Sequence, residues 1–177
     1  MVYDLKGEAT MSPIVGMLYS AVKGNYERLQ FITREMSQEE IDYNGPKNNY
    51  NSTAQLINHI FSVDIHWVYR IKGEPLSDSL KSKHRPMLDE NNRLPMVKDK
   101  SWGLLMTECE SLLVMLKEIC TELTDNDLDN VVQFGLENEK QATIRWGGIW
   151  HMADHNRYHQ AHINQLRKWY KKHSINF

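Results

Sequence analysis

The 177-residue chain is predicted to be all-α: a four-helix bundle with long connections between helices two and three and between helices three and four, folded as one domain over 1–177. Three observations point there. Nine Gly and five Pro stand against many Leu, Met, Glu, Lys and Gln, a balance that suits helices better than sheets. Four segments of roughly twenty or more residues carry apolar side chains at the spacing of one helix face. No convincing set of strands, internal repeat or linker interrupts them.

Ser12-Pro13 starts the first helix, with Ser as cap and Pro at the first helical position. Its apolar face runs through Ile14, Leu18, Val22, Leu29 and Ile32 to about Met36. Ser37-Gln38-Glu39-Glu40 reads as a capping box over a short turn, ahead of the polar loop NGPKNNYN. A second box, Ser52-Thr53-Ala54-Gln55, opens the second helix, whose apolar residues Leu56, Ile60, Val63, Trp67 and Ile71 continue until Gly73 and Pro75 stop it. Residues 74–100 are polar, contain Pro75, Pro86 and Pro95, and keep no sustained period. They read as a crossover, a pocket rim or a loop without chemical role. The third helix runs from about Ser101 to Leu123 with Leu105, Leu112, Leu116 and Ile119 inward, and Thr124-Asp125-Asn126-Asp127 ends it. VVQF and QATI flank GLENEK as a small hairpin. A fourth helix follows, from about Arg145 to Lys172.

Composition narrows the function classes. A net charge of −2 supplies no general attraction to phosphate backbones or acidic membranes, so nucleic acid is not an expected partner. The N-terminus MVYDLKGEATM lacks an apolar signal region, and no run of about 18 apolar residues occurs, so a cytoplasmic protein without a membrane span is expected. Cys109 and Cys120 lie in one helical segment about 16 Å apart, too far to bridge, and read as small buried residues. The Met and aromatic residues of helix one or the 74–100 segment could serve a homodimer.

The chemistry concentrates in HMADHNRYHQAH, residues 151–162, which holds four of the eight histidines. At about 100° per residue, His155, His159 and His162 fall within about 80° of His151. The same arc carries Gly148, Met152, Tyr158, Ile163, Leu166 and Trp169, whereas Asp154, Arg157, Gln160, Lys168 and Lys171 occupy the other side. Such a stripe faces the core. Buried histidines repel when charged, so they should be neutral and either hydrogen-bonded or metal-bound. His155 and His159, at i and i+4, reach one ion together, although the pair alone also fits core or capping roles. Helix two offers His59 and His66 as a third ligand. They are about 10 Å apart along the axis, and His59 is better placed because His66 drifts toward Gln55 and Ser62.

The stretches STAQLINHIFSVDIHWVYRIKGE and GGIWHMADHNRYHQAHINQLRKW resemble the DinB-like superfamily of metal-binding four-helix-bundle proteins. The likeness spans nearly the whole chain. It implies that a histidine of helix two and an H-x-x-x-H pair of helix four bind a divalent metal, here His59, His155 and His159. The family often continues after its last ligand with Arg-Gly-Gln-Ile, whereas Gln160-Ala161-His162-Ile163 follows here. Members include S-transferases that use low-molecular-weight thiols and proteins without a known reaction.

Three imidazoles leave a divalent ion, zinc or nickel, with open coordination. The expected function is therefore a metal-dependent enzyme that activates a thiol or water, an S-transferase or hydrolase of a small-molecule substrate. The rival expectation is a non-catalytic bundle whose metal or small ligand serves a structural, stress-related or sensing role. Asp64 is either a group orienting a ligand or a solvated or capping carboxylate; His151 is either a general base or a core hydrogen-bonder. His162 stays open in the same way. Tyr158 and Trp150 read as packing residues, and His84 and His173 receive no role.

Overall fold

Helix ends in this chain are set partly by local side chains and partly by distant ones. The computed structural model describes residues 4–84, 88–89, 93–135 and 138–174. It is mostly helical, with α1 (Pro13–Thr33), α2 (Gln38–Asp42), α3 (Thr53–Lys72), α4 (Asp78–His84), α5 (Trp102–Glu122) and α6 (His151–Ser174). Strands β1 (Val131–Phe134) and β2 (Lys140–Thr143) form an antiparallel hairpin with Val131 opposite Thr143. The hairpin reading of VVQF and QATI holds one residue out of place, because Lys140 joins the ladder and Ile144 leaves it. Of GLENEK, Leu136 and Glu137 lie outside the described residues.

At α3 the capping box forms as read: Ser52 Oγ accepts from the Gln55 amide, and Gln55 returns a bond to the Ser52 amide. Gly73 closes the same helix in the left-handed conformation at φ 71°. The box at Ser37 is only half made and opens a short helix, since the Glu40 carboxylate turns to Arg167 at 3.1 Å. Ser12 occupies the cap position of α1, yet its hydroxyl makes no capping bond. Asp125 supplies that bond from the far side of the sequence, accepting from the amides of Ile14 (2.9 Å) and Val15 (3.1 Å). The segment after α3 also departs from expectation, for it contains α4.

Packing is organised around the four long helices: α1 lies against α5 and α6, and α3 against α5 and α6. Val22, Leu29, Ile60, Ile65, Leu112, Leu116 and Ile163 are fully buried between them. On α1, Val22 and Leu29 are buried as read, but in place of Ile14, Leu18 and Ile32 the buried residue is the next one along. Val15, Tyr19, Val22, Tyr26, Leu29 and Thr33 are buried, whereas Ile14 is 44% exposed. Tyr and Thr are undervalued by a hydrophobic pattern, but each buries its body and spends its hydroxyl on a partner: Tyr26 on Asp64, Thr33 on the Leu29 carbonyl.

The same rotation occurs on α6. Its buried face is Met152, Ala153, Asn156, His159, Gln160, Ile163 and Leu166. Gln160, read as outward, is wholly buried because Arg28, the Asn25 carbonyl and Asn156 satisfy its amide. Consequently the histidines line one border of the inward face, and His162 and Tyr158 are exposed. Among the described residues no helix is long and apolar enough to cross a membrane.

Candidate metal centre

Helices α3 and α6 run antiparallel, since Tyr50, just before α3, meets Trp169, His59 meets His155 and His159, and Trp67 meets His151. The i, i+4 spacing on α6 sets His155 and His159 one above the other, and His59 faces both from α3. The Nε2 atom of His155 is 3.2 Å from that of His59 and 3.0 Å from that of His159. One ligand atom from each of the three lies within 4.8 Å of the others.

These nitrogens cannot all be satisfied by one another. A neutral imidazole nitrogen offers either one N–H or one lone pair, so His155 Nε2 serves only one of its two neighbours well. A single cation serves all three. Bonds of about 2.0–2.1 Å in a tetrahedral site hold ligand nitrogens about 3.3 Å apart, close to the spacing found. The donor set fits a divalent ion.

Electrostatics agree with neutral ligands. Burial, followed by the like charge of neighbouring histidines, pushes His155 and His159 down to about 3, and burial lowers His59 as well. At neutral pH all three therefore present lone pairs. The Nδ1 atoms of His155 and His159 are buried without a protein hydrogen-bond partner among the described residues. Ligating histidines commonly give that proton to a carboxylate or carbonyl, and neither has one here.

Asp64 does not fill the gap. Far from solvated, it is completely buried, and its Oδ2 accepts from the Tyr26 hydroxyl at 2.7 Å. Burial raises its pKa well above the ordinary carboxylate value, with the Tyr26 hydrogen bond opposing the shift, so the fold favours its neutral form. Cys109 is electrostatically coupled to it. That Tyr26–Asp64 pair was invisible to sequence reasoning, because the helices that join them share no short motif.

His151 lies at the border. Its ring stacks on His155 at 5.3 Å between centroids and on Trp146 at 6.1 Å, and meets Trp67 edge-on at 5.9 Å. Burial lowers its pKa, with Asp154 opposing the shift, so it too is neutral at pH 7. His66 is outside the cluster and bonds the Ser62 carbonyl through Nδ1. Exposed His162 touches His159 and Tyr158 by ring contacts. Trp150 and Tyr158 prove 43% and 61% exposed, contrary to their reading as packing residues. The side chains of His84 and His173 lie outside the described set. Both cysteines are buried and free, and burial pushes their thiols up to about 12, which removes them as nucleophiles.

Comparison with known proteins now bears on this geometry. A family model described as the DinB superfamily matches residues 21–163, a span that includes all three clustered histidines. The chain is also 45% identical over 170 residues to a protein of Bacillus subtilis (strain 168) named "Uncharacterized protein YkkA", covering 96% of this chain and 95% of that one.

Proposed function

The chain belongs to the DinB superfamily, and from that premise we propose that His59, His155 and His159 hold a divalent metal ion, zinc or nickel, in a metal-dependent enzyme. Its reaction is the transfer of a low-molecular-weight thiol to an electrophilic small molecule, or the hydrolysis of one. We read the four long helices, each packed on two others, as a four-helix bundle with this centre between α3 and α6.

The convergence of three neutral Nε2 atoms at one point carries the reading. Three protein ligands leave a coordination position free, as in catalytic rather than closed structural sites. When bound, the ion lowers the pKa of an adjacent thiol or water, so that a nucleophile exists at neutral pH. The chain's own part is to keep the three imidazoles unprotonated and to set them at a border of the buried face that substrate can reach. His151, neutral and half-buried beside His155, takes the proton released by the thiol or water. Asp64, protonated and bonded to Tyr26, shapes the core behind the ligands and touches no reacting atom in this scheme.

Elemental analysis of the purified protein, followed by a screen of low-molecular-weight thiols against an electrophilic acceptor, tests the proposal. We expect one ion per chain and a turnover that disappears on chelation and in His155→Ala. Full turnover by a metal-free preparation rejects it.

A further inference from the structure

The turn that leads into α6 is wound as a π-helix over Ile144–Trp150. Single π turns inside helices often mark functional sites, because they re-aim side chains that a regular helix would place elsewhere. Two glycines let this turn lie flush on its supports. A Cβ on Gly147 would come within 2.5 Å of Ala142 Cβ and 2.8 Å of the Trp67 ring, and one on Gly148 within 2.8 Å of Ile71. With its inner side pressed so closely on α3 and β2, the turn presents Trp146 and Trp150 outward, 54% and 43% exposed.

Those indoles are not scattered surface residues. Trp146 stacks on His151 with 19° between ring planes, His151 stacks on His155 with 24°, and Trp150 is tilted by 30° to Trp146 with 6.0 Å between centroids. A run of nearly parallel π faces thus leads from the surface to a triad imidazole. Within the triad the rings cross instead at 70–88°, which aims nitrogens rather than faces. Because His151 has its ring turned on both Trp146 and His155, the flat, polarisable surface that the run offers is that of the two exposed indoles at its outer end.

We propose that Trp146 and Trp150, backed by His151, form a stacking platform for a planar, conjugated, non-cationic group of the substrate, held at the outer end of the ring run that leads to the histidine triad. Flatness follows from the shared tilt of the rings, since aromatic faces gain most from an offset parallel partner. The exclusion of cations rests on the metal reading above, because a divalent charge at the triad repels a second positive group. Glycine seating makes the platform preformed, so a planar ligand does not have to order it.

The test uses the full chain, metal-free and zinc-loaded, with 15N-labelled indoles. The five tryptophans give separate signals, assigned by Trp146→Phe and Trp150→Phe. Nitrobenzene should shift the Trp146 and Trp150 signals saturably in both forms, while nitrocyclohexane, its saturated counterpart, should not. Trp146→Ala should weaken nitrobenzene binding about fivefold, and Trp146→Phe should keep it within about twofold. Phenyltrimethylammonium should lose affinity on zinc loading, whereas nitrobenzene should not. Equal shifts with the saturated compound, or shifts confined to other indoles, overturn the platform. So does a dimer by light scattering that Trp146→Ala or Trp150→Ala converts to monomer, for then a second copy covers these rings. Zinc content measured on the same samples separates the two ideas: binding of nitrobenzene by a protein that takes no zinc sinks the metal reading, and with it the exclusion of cations, but keeps the platform, and zinc uptake without nitrobenzene binding sinks the platform alone.

Discussion

Helix α3 carries two ionisable clusters five residues apart, and they solve opposite problems. At His59 three ring nitrogens with lowered pKa values converge at a border of the buried face. At Asp64 one carboxyl with a raised pKa sits wholly inside, its oxygen on the Tyr26 hydroxyl. Burial removes charge from both, but the result differs. A carboxyl that keeps its proton is a stable neutral group in the core, whereas imidazoles that lose theirs are left with lone pairs facing one another. The Asp64 carboxyl has the Tyr26 hydroxyl on one oxygen and no partner among the described residues on the other, whereas the three imidazoles call for a cation. Loss of charge is enough to let a carboxyl stay in a core, whereas converging lone pairs still need a positive partner.

The largest expected effect breaks the open cluster. Replacing His59, His155 or His159 by Ala should weaken zinc binding by about 100-fold or more, measured by competition with a chromophoric chelator. A smaller loss at any one of them would remove that residue from the ligand set. Next in size is the stability that the ion confers. At a free concentration of about 100 Kd, zinc should add about 2.7 kcal/mol, a rise in melting temperature of about 5–10 °C for a domain of this size.

The two clusters should also respond to pH in opposite directions. His155 and His159 titrate near 6.5 when unfolded and at about 3 when folded. Between those values the unfolded chain binds more protons, so the metal-free protein should lose stability as pH falls below about 6.5, and thermal melts should show it. For Asp64 the folded pKa is raised, the unfolded chain releases its proton first, and that carboxyl costs stability as pH rises above about 3.8. Asp64→Asn should accordingly gain in melting temperature relative to the parent protein between pH 4 and pH 8, with zinc affinity unchanged. A flat difference across that range would mean that Asp64 is ionised in the fold. The smallest expected effect is that of His162→Ala: exposed and in ring contact with His159 at the edge of the cluster, it should alter zinc affinity less than about twofold.

How much of this was legible in the sequence depends on the range of the interaction responsible. Ser52 and Gln55 are three residues apart and cap α3 as read, and the inward Leu105, Leu112, Leu116 and Ile119 of α5 are buried as read. His155 and His159 are one turn apart, so their meeting was also a local matter, and only His59 had to be supplied from another helix. What escaped was non-local or not hydrophobic. Asp125 caps a helix that begins more than a hundred residues earlier. The buried faces of α1 and α6 include Tyr26, Asn156 and Gln160, whose polar atoms are matched by partners that a hydrophobic stripe does not count. The π winding at Ile144–Trp150 has no periodic signature of its own, and it is the turn from which the exposed Trp146 and Trp150 project.

The central claim is that three lone pairs converge because they hold a metal. Elemental analysis of the protein as purified, beside its His155→Ala variant, tests this most directly. One divalent ion per chain is expected in the first and none retained in the second. A folded protein that acquires no ion when offered zinc or nickel, or a variant that keeps the full complement, would contradict it.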